Sequence, residues 1–251
     1  MFIEWILAAG LAVLLVVLVA RFTKKWTKED GEPEGPTASH AGGILSALFL
    51  LVFAIAIIVP WTAADTARHN TYAEVQSLNE AYWRAAALPP ADRQAVRAGL
   101  VDYTRFVADK EWPGMAAAGE LPEGWQRLDA IRIRLTAIPS TNDEVKTARD
   151  DTIERLREVY AARRERATEA GAVLPPAVLF FVVTLGLVML VFPFLAGARP
   201  KGMARLPLLV MAAVLGLCVL IVFDLDNVFS GGLAVGSDAY QGAITDFQRI
   251  P

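Results

Sequence analysis

"GILSALFLLVFAIAIIVPW" occupies residues 43–61, and "TAADTARHNTYAEVQSLNEAYWRAAALPP" follows directly at 62–90. The first stretch carries no charge and approaches the ~20 apolar residues that a helix needs to cross a bilayer. The second is rich in charge and runs on until Pro89-Pro90 stops it. A membrane helix that continues into a charged helix decides the fold class: an all-α membrane protein with a helical module outside the bilayer.

Three further stretches are charge-free: "WILAAGLAVLLVVLVA" at 5–20, "VLPPAVLFFVVTLGLVMLVFPFLAGA" at 173–198 and "LPLLVMAAVLGLCVLIVF" at 206–223. Four transmembrane helices are therefore expected. The chain is 55% hydrophobic yet 20% charged, so the two classes of residue must be segregated. One chain of 251 residues cannot bury four such stretches in a water-soluble core. The first span reads as an anchor and not as a signal peptide, because "MFIE" lacks the basic residues of a leader and "RFTKKW" offers no small-residue cleavage pattern. The chain then divides into an N-terminal anchor and loop, 1–41, and a domain over 42–251. Within that domain the module spans 63–172 and a C-terminal segment spans 224–251.

The module reads as four helices. Val96, Leu100, Tyr103 and Val107 recur at spacings of four, three and four, one face of a helix that Pro113-Gly114 ends. "GWQRLDAIRIRLTAI" forms the third, up to Pro139. Ser140 to Asp143 supply cap residues for the fourth, "EVKTARDDTIERLREVYAARRERATEAG". No alternating strand pattern and no internal repeat is present.

Signals for catalysis and cofactors are missing. His40 and His69 fall in different segments with no ligand at metal spacing, and no phosphate-binding or nucleophile motif is found. No enzyme, metal site or cofactor is expected. The single cysteine, Cys218, excludes a disulfide within the chain. A net charge of −3 gives no basic footprint for nucleic acid. Glu74 and Glu80 read as carboxylates solvating a helix face, and the run "RRER" at 163–166 reads as a charged helix near the membrane.

Several motifs carry a resemblance: "LPPADR" at 88–93, "DYTRFVADKEWPGM" at 102–115, "RRERATEAGAVLPPAV" at 163–178 and "DLDNVFSGGLAVGSDAY" at 224–240. Together they make the chain similar, from about Gly42 to Phe247, to the bestrophin-like domain family of bacterial membrane proteins. That family is more distantly similar to the bestrophins, pentameric anion channels. The last motif resembles an Asp-x-Pro-Phe-Ser-Gly pattern, with Val228 where the pattern has proline.

The resemblance implies a homo-oligomer, a pentamer in bestrophins, in the bacterial cytoplasmic membrane, passing small anions. It also implies that the segment after the last span packs between subunits. Asp224 and Asp226, with Phe229 as the packing residue and Gly231 as the turn, would form that clasp. Two carboxylates and Asp238 fall short of the ~six to eight oxygens that calcium takes. In a channel, Phe49, Phe53 and Ile57, at i, i+4 and i+8 of the second span, would form an apolar neck, and Arg68 and Arg84 would favour anions in a vestibule. The alternative is a non-conducting membrane scaffold that recruits or senses an unidentified protein, consistent with spans that carry no charged residue. Basic residues in the short loops (Arg21, Lys24, Lys25, Lys28, Arg199, Lys201 and Arg205) stand against five arginines between Arg155 and Arg166. The side on which the module lies therefore stays open.

Overall fold

A computed structural model describes residues 35–139, 142–171, 173–197 and 202–250, together with Leu14 and Leu18. The first expected span, 5–20, lies outside the described residues apart from those two leucines. Both are helical and exposed.

The described residues form helices and turns with no strand. Helix α1 covers Gly35–Arg84, a single helix of 50 residues. A 3₁₀ turn, Ala85–Ala87, leads to α2, Pro90–Phe106. A π-helical turn at Val107–Glu111 and a 3₁₀ turn at Trp112–Gly114 precede the short α3, Met115–Ala118. Then follow α4, Pro122–Ala137, and α5, Asp143–Glu169, which is capped by Asn142 accepting from the Val145 N–H at 2.7 Å. Helices α6, Pro176–Leu195, and α7, Leu206–Asp224, precede α8, Asp238–Arg249.

The chain separates into two compact units, Met1–Pro60 with Leu174–Asp226 and Trp61–Val173 with Asn227–Pro251. The division falls within α1, at Pro60, whose missing N–H removes one bond from the helix ladder.

Among the described residues, three helices are long and apolar enough to cross a membrane: the first part of α1, α6 and α7. In this unit large apolar side chains face outward, among them Ile44, Leu51, Ile58, Phe180, Val210 and Val214. Contiguous exposed apolar surface of this kind suits hydrocarbon, not water. The inner face packs Phe49, Leu190, Phe194, Ala212 and Leu215 in one cluster and Ala56, Leu174, Val182 and Val222 in another.

The second unit has the opposite polarity. Leu78, Leu100, Tyr103, Val107, Leu128, Leu135 and Val159 are buried in one core. Along the part of α1 in this unit and the turn after it, Ala64, Ala67, Thr71, Glu74, Leu78, Ala81 and Ala85 are buried at alternating spacings of three and four residues, with Val75 buried beside Glu74. That spacing is a packing seam on a helix, and a glutamate occupies one of its positions. Two expectations follow. Salt washes should leave the chain in the membrane fraction and detergent should release it. Leu100→Ala should cost about 2–5 kcal/mol of module stability, read by denaturant unfolding, because it opens a cavity among fully buried neighbours.

Candidate functional site

The seam glutamate leads to the most unusual feature of the second unit. Glu74 from α1, Tyr103 from α2, Glu111 from the π turn, Glu120 from the segment before α4, Arg163 and Arg166 from α5, and Tyr240 from α8 converge in its interior. The Arg163 and Arg166 side chains are 0% and 2% exposed, and those of Glu111 and Glu74 are 0% and 1%. Burying charge is tolerated only when each group is paired and hydrogen-bonded.

The pairing here is dense. Arg163 grips Glu111 with both terminal nitrogens, Nη1 to Oε1 at 2.9 Å and Nη2 to Oε2 at 2.5 Å. Such bidentate, charge-assisted bonds are the strongest available to side chains. Glu111 Oε1 also accepts from Arg166 Nη2 at 3.1 Å, and Oε2 from the Leu121 N–H at 2.8 Å, so four donors surround this carboxylate. Arg166 Nη1 donates to Glu74 Oε2 at 2.5 Å and to the Tyr240 hydroxyl. The Tyr103 hydroxyl donates to Glu74 Oε1 at 2.7 Å. Aromatic faces enclose the cations: Trp125 lies 5.0 Å from the Arg163 guanidinium and Trp112 lies 5.6 Å from that of Arg166.

Local backbone chemistry places these groups. Tyr103, Val107 and Glu111 are all fully buried, yet their eight-residue span exceeds two α-turns of about 3.6 residues each. The wider π turn at 107–111 absorbs the excess and brings Glu111 onto the face of Tyr103. Gly124 makes room for Arg163: a Cβ there would lie 2.3 Å from Nη2. On α5 the buried positions are Ala148, Thr152, Leu156, Val159, Tyr160, Arg163 and Arg166, so the two arginines extend an ordinary core stripe.

The electrostatics follow from burial and neighbours. Burial, with Glu74 beside it, holds the Tyr103 hydroxyl protonated, well above the usual phenol range. For Arg166 burial works against the charge, but Glu74 and the two tyrosines outweigh it and the guanidinium is held well above its usual value. Burial pushes Glu120 up to about 7; Arg166 and Arg163 pull it down, and Glu111 and Glu74 push it further up. Three carboxylates face two guanidiniums, so full ionisation would leave one negative charge in excess.

The network corrects two sequence expectations. Glu74 does not solvate a helix face: it sits on the packed side of α1. Arg163 and Arg166, the outer members of "RRER", are not juxtamembrane surface charges but the most deeply buried cations among the described residues. Glu80 does lie at the surface, near Arg84 at 4.0 Å. Glu120 and Tyr240 were not singled out from sequence. The signal that could have found the arginines is the three-four stripe on α5, which runs straight into them.

The expected site residues are placed as follows. Phe49 is buried against Leu190, Phe194, Ala212 and Leu215 of its own chain, and its ring stacks on Phe53 at 5.8 Å. Phe53 and Ile57 also pack onto this inner face. A neck built from this stripe would require these helices to come apart. The face of α1 left open carries Ile44, Leu48, Leu51, Ile55 and Ile58. Arg84 lies 3.5 Å from Asp151, whereas Arg68 is exposed with no ion pair among the described residues.

The residues expected to form the C-terminal clasp make the following contacts within the chain. Asp226 Oδ1 accepts from the Leu174 N–H at 2.7 Å, next to Pro175 and α6. Asp224 ends α7 and is half-buried. Asn227 Oδ1 accepts from the Phe229 N–H at 2.8 Å, which tightens the turn. Val228, where the family pattern has proline, is buried, and its carbonyl accepts from the Val235 N–H at 2.8 Å. Phe229 meets Trp112 edge-on at 5.4 Å, and the Trp112 indole N–H bonds the Val235 carbonyl at 3.0 Å. Gly231 turns with φ of 78°, a backbone that suits glycine. Because Trp112 follows Glu111 and packs on Tyr240 at 5.3 Å, the clasp rests on the arginine network.

Removing one partner from a buried pair strands the other charge. Arg163→Met should therefore cost about 3–5 kcal/mol in denaturant unfolding of the detergent-solubilised chain. Gly124→Ala should act in the same direction by about 1–3 kcal/mol, since its methyl group must displace the guanidinium.

The bestrophin-like domain family matches residues 6–240. No match is found among curated proteins or among solved structures. The matched range takes in the three membrane-crossing helices, the π turn with its Glu111-Trp112-Pro113 run, and every residue of the buried network. The chain belongs to the bestrophin-like domain family.

Proposed function

We propose that this protein is a homo-oligomeric ion channel of the bacterial cytoplasmic membrane, with a preference for small anions. Family membership supports a channel-type role, and one observation in the structure supports assembly around an axis. The membrane part of α1 uses one face for its own chain and leaves the opposite face, Leu48, Leu51, Ile55 and Ile58, apolar and uncovered. Copies arranged around an axis would bring these side chains together as a hydrophobic constriction, which can gate by excluding water. In this reading Phe49 and Phe53 brace the constriction from behind instead of lining it. Such a neck explains how a channel can work with no charge in its spans.

Anion preference would come from Arg68, which is exposed, more than from Arg84, whose charge is offset by Glu80 and Asp151. The tightly bonded network would serve as a rigid base for the helical module.

Purified protein in liposomes should pass chloride, and its native mass should be a multiple of one chain. Leu51→Ala and Ile58→Ala should raise the flux by widening the constriction. Arg68→Glu should shift the reversal potential away from chloride. Oligomeric protein in tight vesicles, with no flux for any small ion in wild type or in the alanine variants, would point to the scaffold instead.

A further inference from the structure

We propose that Glu120 is a proton-operated latch, buried in the arginine network while it carries a proton and expelled toward water when it loses it. The inference concerns the module alone and stands whether or not the chain conducts ions.

The geometry sets Glu120 apart from the other two carboxylates. Glu111 has four donors and Glu74 has two at close range. Glu120 has contacts at ion-pair distance only, 3.4 Å to Arg163 Nε and 3.3 Å to Arg166 Nη2. Those lengths exceed the ~2.7–2.9 Å of a charge-assisted hydrogen bond. Its Oε1 is buried and has no hydrogen-bond donor among the described residues, although the side chain is only 6% exposed.

Charge count leads to the same residue. The groups facing Glu120 are Arg163 and Arg166 from α5, Glu111 from the π turn and Glu74 from α1. With Glu120 protonated the two guanidiniums are matched by two carboxylates. With Glu120 ionised, a third carboxylate is buried with no donors of its own, a costly state that a side chain relieves by reaching water. Burial that raises its proton affinity to about 7 is consistent with this balance.

The way out is short. Glu120 lies in the non-helical segment between α3, which ends at Ala118, and α4, which starts at Pro122. Its neighbour Leu121 is bonded to the network at both ends of its peptide, by its N–H to Glu111 at 2.8 Å and by its carbonyl to Arg163 Nη2 at 3.1 Å. Expelling Glu120 therefore pulls on two main-chain bonds, and a single proton is converted into movement of the chain at the start of α4.

The direction of the pH effect follows from linkage. The folded chain binds this proton more tightly than the unfolded chain, whose carboxyl has the ordinary value of 4.5. Stability from this group is complete below 4.5 and is lost as pH rises through about 7. Within that window the unfolding constant should change by up to about tenfold per pH unit.

Hydrogen exchange of the full chain in lipid nanodiscs, corrected for intrinsic rates and followed across that window, tests the latch. In wild type, protection of the peptide covering 119–122 should fall with a one-proton midpoint near 7. Glu120→Gln and Glu120→Ala, which both leave two carboxylates against two guanidiniums, should remove that step. Burial also raises Glu169, so a step that persists in E120Q would place the proton elsewhere and overturn the proposal. Exchange of this peptide that is independent of pH in wild type would overturn it as well. If neither variant folds, the infrared pH-difference spectrum of wild type decides: a buried protonated-carboxyl stretch lost through the same midpoint supports the latch, and its absence refutes it.

Discussion

Two guanidiniums held away from water are the constraint on which the module depends. Each costs several kcal/mol to desolvate, and only carboxylates with good geometry can offset that cost. Many features of the module follow from meeting this condition. The π turn exists where Glu111 must reach the face of Tyr103, and Gly124 stands where a larger residue would collide with Arg163. Tyrosines rather than phenylalanines fill the core beside the ions, because their hydroxyls complete the bonding of Glu74 and Arg166. Trp112 and Trp125 cover the cations with their rings.

A network of this kind supplies specificity more than stability. An apolar core of similar volume would hold the helices together at least as well. Paired charges restrict the ways in which the helices can pack, since a slip leaves further donors and acceptors bare in a dry interior. The C-terminal segment is included in that arrangement. Phe229 and Val235 lock onto Trp112, and Tyr240 bonds Arg166, so helices distant in sequence share one set of contacts.

The membrane unit follows a different logic. Its described helices are apolar on both sides, and only the finer choice of small against large residues separates the inner face from the outer. Phe49 packs inward beside Gly186 and Ala212, where space permits, while Ile44 and Leu51 remain outside. Both faces of α1 therefore read as equally good stripes in sequence. The expected neck fell on the inner stripe for that reason: periodicity defines a face but not what covers it.

What the sequence by itself determined is the class of structure. Charge-free runs of about membrane length, a charged helical stretch between them, the stop at Pro89-Pro90 and the cap before α5 were legible. They depend on local chemistry: hydropathy averaged over a turn or two, backbone restrictions at proline, and the cap at Asn142. The stripe of Val96, Leu100, Tyr103 and Val107 became a buried face for the same reason. The partners of the buried charges were decided only by tertiary structure. Glu74, Glu111 and Arg166 lie far apart along the chain, and a charged residue carries no local mark showing whether it faces water or a countercharge. Its burial depends on whether another helix delivers the opposite charge to within about 3 Å, and that is settled only when the helices pack.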